Sequence, residues 1–169
     1  DKDGINGKVL TSAISTVKSF DISYYQWNIN DLTGIEGFTA LENLTFRGNT
    51  GSLTSLNVSK NLMLKKLDCS LNTLTTLDVS NNLELESLIC RSNKLTTLDV
   101  SKNLKLKTLN FDGNQITSIS IADNKELVEF NCYNNKITSL NLSQNLLLTD
   151  LNCGINQLTS IDISNNVLL

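Results

Sequence analysis

Apolar residues recur along this chain at a fixed interval that is neither helical nor a plain alternation. Segments starting at Leu53, Leu74, Leu95, Ile116, Ile137 and Leu158 align with 21 residues between successive starts. Each unit reads Leu-Thr-Ser/Thr-Leu-x-Val-Ser-x-Asn, then x-x-Leu-x-x-Leu-x-Cys-x-x-Asn. Four columns hold one residue type or its near isosteres. They begin at Leu56, Val58, Leu64 and Leu67 and repeat to Ile161, Ile163, Leu169 and Leu151 respectively. A fixed period of this length is the signature of a solenoid, in which each unit buries its apolar face against its neighbours.

The spacing within a unit sets the local conformation. Leu67 and Cys69 are two apart and share a face only on an extended backbone. No i, i+3, i+4, i+7 stripe persists, so a helical unit is excluded. Each unit is therefore expected to contribute two short strands joined by tight turns, one rung of a coil. Stacked rungs would form parallel sheets with ~4.8 Å between strands. Two asparagine columns fall where the chain must turn: Asn72, Asn93, Asn114, Asn135 and Asn156, and Asn61, Asn82, Asn103, Asn124 and Asn145. Buried turns leave backbone groups without strand partners, and an Asn amide can both donate and accept. These amides are expected to bond their own turn and the next rung rather than a ligand.

Leu67-Asp-Cys69-Ser-Leu-Asn72-Thr-Leu74 is similar to the Leu-x-Leu-x-x-Asn-x-Leu signature of leucine-rich repeats, over roughly residues 29 to 169. The nested 21-residue form resembles a bacterial subclass related to internalin-type repeats. The resemblance implies a leucine-rich-repeat solenoid, a β-rich right-handed parallel coil with short strands and tight turns. It also implies a concave, partner-binding face and an extracellular or cell-surface location.

A repeat array needs a terminal cap, because an end rung otherwise exposes its interior. Residues 1 to 23 are expected to form a small N-terminal cap, helical from Val9 to Val17, and residues 24 to 169 the array. Tyr24, Tyr25 and Trp27 would cover that end, and Thr50-Gly51 would form a small bulge. Val17-Lys-Ser-Phe20-Asp-Ile22-Ser resembles the Leu-Thr-Ser-Leu-Asp-Val-Ser half-unit. Asp1-Lys-Asp3-Gly-Ile-Asn6-Gly7 resembles an EF-hand or dockerin calcium loop. Ile5 breaks its alternation of ligands, and Ala13 stands where a bidentate Glu is required. A degenerate loop is expected there, without calcium on Asp1, Asp3 and Asn6. At the other end the chain stops inside a unit, so a C-terminal cap is not expected, and either further chain or a partner would cover that rung.

Composition narrows the chemistry. With no His, the commonest general base and metal ligand is missing. Net charge is −3 and no basic run exceeds Lys65-Lys66, so no electrostatic footprint for nucleic acid exists. No apolar run is long enough to span a membrane. Cys69, Cys90, Cys132 and Cys153 share one column with Phe111, which marks a core position of free buried thiols. Asp78, Asp99 and Asp162 form a repeated surface column, expected to be solvated by the neighbouring Thr and Ser hydroxyls. A repeated surface offers no unique cleft, so an enzyme is not expected, nor a cofactor.

One outward face does not repeat itself. Its columns run Asn43, Lys66, Ser87, Thr108, Glu129, Asp150; Thr45, Asp68, Ile89, Asn110, Asn131, Asn152; and Arg47, Ser70, Arg91, Asp112, Tyr133, Gly154. Recognition of a protein partner is expected through Arg47, Asp68, Ile89, Arg91, Asn110, Asp112, Asn131 and Tyr133. Arg, Tyr and exposed aliphatic residues are interface-anchoring types. The alternative is a glycan-binding or passive spacer domain of a larger envelope protein. Few aromatics are available for sugar stacking, which favours protein.

Overall fold

A computed structural model describes residues 14–22, 29–48 and 53–169. Seven strands of three residues each stack in chain order as one parallel sheet. They are β1 (Ser19–Asp21), β2 (Asn43–Thr45), β3 (Lys66–Asp68), β4 (Ser87–Ile89), β5 (Thr108–Asn110), β6 (Glu129–Asn131) and β7 (Asp150–Asn152). Among the described residues a 3₁₀ turn at Ile35–Gly37 is the other complete regular element. The expected cap helix lies largely outside the described residues. So do the calcium-type loop, Tyr24, Tyr25, Trp27 and the Thr50-Gly51 bulge.

The register holds without slip: Asp68 pairs with Ile89, Ile89 with Asn110, Asn110 with Asn131, Asn131 with Asn152. A one-residue slip would send every Leu to solvent, so the buried column Leu44, Leu67, Leu88, Leu109 and Phe130 fixes it. Parallel bonding continues two residues past each strand, for example Cys90 N–H to the Asn110 carbonyl at 2.8 Å and Ser92 N–H to that of Asp112 at 2.6 Å.

Two readings of the sequence need correction. Only one half of each unit forms a strand. The Leu-Thr-Leu-Asp-Val half sends Leu77, Val79, Leu98 and Val100 inward, but makes a single backbone bond per rung, such as Gln115 N–H to the Leu95 carbonyl at 2.9 Å. There Asp78, Asp99 and Asp162 accept the N–H of Ser80, Ser101 and Ser164, each at 2.9 Å. An amide captured by a side chain two residues earlier is lost to the ladder. Bonds from the serine two residues on hold the three carboxyls below their usual range: the Ser80 hydroxyl leads at Asp78, and the backbone N–H, followed by the hydroxyl, at Asp99 and Asp162. Second, Val17–Ile22 is not that half-unit. Phe20 pairs with Leu44, so the segment takes the strand position, and β1 extends the sheet into residues 1–23.

The core is one continuous cluster from Ile35 to Leu148, with the Phe111 and Phe130 rings tilted against each other at 5.8 Å between centroids. Cys69, Cys90 and Cys132 lie inside it as free thiols; Cys153 is half-buried. Burial raises the Cys69 thiol and pushes those of Cys90 and Cys132 up to about 12, which keeps them protonated and inert. In the last rung the core columns face solvent, with Ile161 40% and Ile163 48% exposed.

Both asparagine columns are buried, apart from the half-buried Asn156, and they work differently. The amide of Asn93 donates to the carbonyls of Cys69, Cys90 and Arg91, while its oxygen accepts the N–H of Leu74 at 3.0 Å. Asn114 repeats this with Cys90, Phe111, Asp112 and Leu95. In the other column Asn103 donates to Val79 and Asn82 at 3.0 and 2.9 Å. Its oxygen has no partner, nor have those of Asn61, Asn82, Asn124, Asn145 and Asn166. Both columns bond their own turn or the preceding rung, where the sequence reading looked to the next one.

Candidate functional site

The outer face of the sheet carries the residues that depart from the repeat. Strand alternation turns Leu67, Leu88, Leu109 and Phe130 inward and leaves their neighbours outward. The three columns expected from the sequence are thus neighbours across the ladder, each rung ~4.8 Å from the next.

The middle column has a structural duty at most rungs. Asn110, Asn131 and Asn152 accept the N–H two residues on, from Asp112, Tyr133 and Gly154, at 3.1, 3.0 and 3.4 Å. Asp68 does the same for Ser70 at 3.1 Å and also takes the Ser70 hydroxyl at 2.6 Å. Ile89 interrupts this series. An aliphatic residue gives up the turn-forming bond, yet Ile89 stays half-buried on the outer face and outside the core cluster.

The eight candidate residues therefore separate. Asp68 is buried at 7% exposure, and Arg47 grips its other oxygen through Nη2 at 2.7 Å and Nε at 2.8 Å. Ser70, in the same outward column as Arg91, is fully buried beneath this pair. Asn110 and Asn131 are half-buried turn formers. Arg91 is exposed, and Asp112 and Tyr133 are half-exposed. The Tyr133 ring lies along the Gly154 backbone, where an added Cβ would sit 3.2 Å from Cδ2. Ile89, Arg91, Asp112 and Tyr133 thus fall on three consecutive rungs, and Arg47 and Asp68 form a separate closed pair.

A second charge pattern, at the position immediately before each of β1 to β5, escaped the sequence reading. Lys18, Glu42, Lys65, Glu86 and Lys107 alternate in sign up the stack. Glu42 is held by Lys18 and Lys65, both at 2.8 Å, and Glu86 by Lys107 at 3.0 Å. Hydrogen bonds from Lys18 and then Lys65 lower the Glu42 carboxyl to about 2. Tabulating that column by sign would have revealed it. The outer turns also expose a ridge of Leu62, Leu83, Leu104 and Leu146, each more than half exposed. Among the described residues no three His, Cys, Asp or Glu side chains are grouped to hold a metal ion, and no helix is long and apolar enough to cross a membrane.

One parallel strand per 21-residue unit, an inward Leu followed two residues on by an inward Cys or Phe, and an Asn closing each strand exit define a leucine-rich-repeat solenoid. More narrowly, the chain is a leucine-rich-repeat protein with internalin-like repeats. It is similar to the functional domain of InlJ from Listeria monocytogenes, which includes a cysteine ladder. Identity there is 32%, with 94% of this chain and 44% of that one covered, and a TM-score of 0.56. A leucine-rich-repeat protein of Leptospira interrogans matches at 26% identity, covering 79% of this chain and 36% of that one, with a TM-score of 0.71. Internalin InlF of Listeria monocytogenes shares the fold at a TM-score of 0.84 and 24% identity, over 96% of this chain and 49% of that one. The chain spans less than half the length of each of these structures. No protein-family model and no curated protein matches it. The cysteine column of this chain is broken by Phe111 between Cys90 and Cys132.

Proposed function

We propose that this solenoid is a non-catalytic protein-recognition module of an exported bacterial surface protein, and that the outer sheet face is its contact surface. The observation that carries this reading is the contrast within that face. Asp68 and the Asn residues of its middle column are spent on turns, while the side chains of Ile89 and Arg91 on one rung and of Tyr133 two rungs further on serve none. Residues of these types anchor protein interfaces, at ~2 kcal/mol or more each when centrally buried. The likeness to InlJ supports both the class and the surface location.

The test replaces Ile89 and Tyr133 together with Ser. Capture of surface proteins by the double variant should fall at least tenfold, with the thermal midpoint nearly unchanged because neither side chain belongs to the core. Undiminished capture would move the contact surface elsewhere, with the Leu62, Leu83, Leu104 and Leu146 ridge next in line. Binding on a glycan array without any protein capture would favour the glycan-binding alternative.

A further inference from the structure

Charge on the outer sheet face is segregated along the stack. Lys66 on β3 and Arg91 just past β4 are exposed cations, and Arg47 beside them is matched to Asp68. Asp112, Glu129 and Asp150, on the rungs of β5 to β7, are all acidic, and no cation shares their columns there. Lys66, Arg91, Asp112, Glu129 and Asp150 form none of the five ion pairs found among the described residues. A surface divided in this way is complementary to itself when turned end for end.

Resting on the reading of this face as a contact surface, we propose that it docks a second copy of this chain about a two-fold axis parallel to the strands, lying between β4 and β5. Such an axis keeps each column opposite itself and reverses the order of the rungs. The β3 rung then faces the partner's β6 rung, and the β4 rung faces the partner's β5 rung. Lys66 comes opposite the partner's Glu129, and Arg91 comes opposite the partner's Asp112. Symmetry doubles both pairs, as an isologous interface requires. Asp68 faces the partner's Asn131, and Ser87 faces the partner's Thr108, so no like charges meet. Neighbouring arrangements fail this check. An axis through β5 sets Asp112 against the partner's Asp112. An axis along the stack sets Lys66 against the partner's Ser70 and Glu129 against the partner's Tyr133, with no ion pair at all.

Three columns over about six rungs cover roughly 300 Å² of flat footprint per copy, well short of a stable interface of ~800 Å² per partner. The dimer is therefore weak and fast-exchanging, and salt weakens it further.

Sedimentation equilibrium of the full chain, carried to millimolar protein at low ionic strength, should show monomer and dimer, with the dimer receding as salt is added. Lys66→Glu with Arg91→Glu should abolish the dimer. Adding Asp112→Lys and Glu129→Lys to that variant should restore it, since the exchanged charges are complementary again. Zero-length carbodiimide coupling of the unaltered chain supplies a readout independent of any variant's folding. Within one copy Lys66 and Glu129 stand three rungs apart, ~14 Å, so a Lys66–Glu129 linked peptide in the dimer band reports the contact between copies. A strictly monomeric chain overturns the proposal, as does a dimer indifferent to the reversals or a dimer band without that peptide. None of these outcomes bears on capture of other proteins by Ile89 and Tyr133, which the double Ser variant reads separately.

Discussion

The two buried asparagine columns set one side chain in two environments. At the strand exit the Asn114 amide makes three donor contacts and accepts the Leu95 N–H, so every polar atom of the side chain is used. At the outer turn Asn103 donates twice and leaves its oxygen without a partner, although the residue is fully buried. Burial and residue type are the same; the difference lies in how many backbone groups each turn orphans. The strand exit strands one N–H and several carbonyls, which only a group that both donates and accepts can satisfy. The outer turn strands carbonyls alone and uses half of the amide. Equal conservation of residue type down two columns thus hides unequal energetic weight.

The largest expected effect follows from that inequality. Asn114→Ala leaves the Leu95 N–H buried without a partner and takes one of two amide donors from each of the Cys90 and Phe111 carbonyls, which keep Asn93 and Asn135. At ~1–3 kcal/mol for the orphaned N–H and ~1 kcal/mol for each further hydrogen bond lost, the total should reach ~3 kcal/mol or more in chemical denaturation. Asn103→Ala orphans no backbone group, since the Val79 and Asn82 carbonyls keep the N–H of Asn82 and Leu85, and it removes an oxygen that was itself unsatisfied, so ~1–2 kcal/mol is expected. If Asn103→Ala proves the more damaging, the comparison is wrong. Smaller and opposite in sign is Ile155→Asn. Ile155 is a β-branched residue at φ 46°, in the column that Gly113 and Asn134 occupy with φ 69° and 52°. Its side chain is 63% exposed, so little packing would be lost. Relief of the left-handed strain should stabilise the fold by ~1 kcal/mol, measured by the denaturation midpoint.

The smallest effect is one of pH. Glu42 has its carboxyl lowered to about 2 in the folded chain, against ~4.3 when unfolded. A depressed folded value means its contribution is complete above the unfolded pKa and is lost as pH falls toward about 2. Glu42→Gln should therefore lower the thermal midpoint slightly near neutral pH and flatten its fall across that acid window, the two chains converging as pH approaches about 2. The carboxylate is solvated, so the change will be slight.

The 21-residue period, the inward columns and the outer-face columns were legible because each depends on residue spacing alone. What spacing does not carry is the fate of individual amides. Leu-Asp-Val and Leu-Asp-Cys have the same alternation, but Asp78 caps an open turn whereas Asp68 sits within a ladder and is covered by Arg47. Ser70 looked exposed by period and is buried, its hydroxyl donating to the Asp68 carboxylate that Arg47 holds. Ile89 was identifiable as the departure from its column. The reason that departure matters, the loss of a turn-capping bond made by Asp68, Asn110, Asn131 and Asn152, required the hydrogen bonds themselves.

The strand-exit amides have a direction. Asn93 reaches back to Cys69 and Leu74, Asn114 to Cys90 and Leu95, Asn135 to Phe111 and Ile116, and none reaches forward beyond its own turn. A newly formed rung therefore finds half of its polar partners already in place on the rung before it, while the first rung finds none. Nucleation is costly and elongation is templated, so growth from the amino-terminal end matches the order in which a ribosome releases the chain. A break in the Asn series should weaken the one boundary between rungs at which it falls, while the backbone bonds that also join those rungs remain.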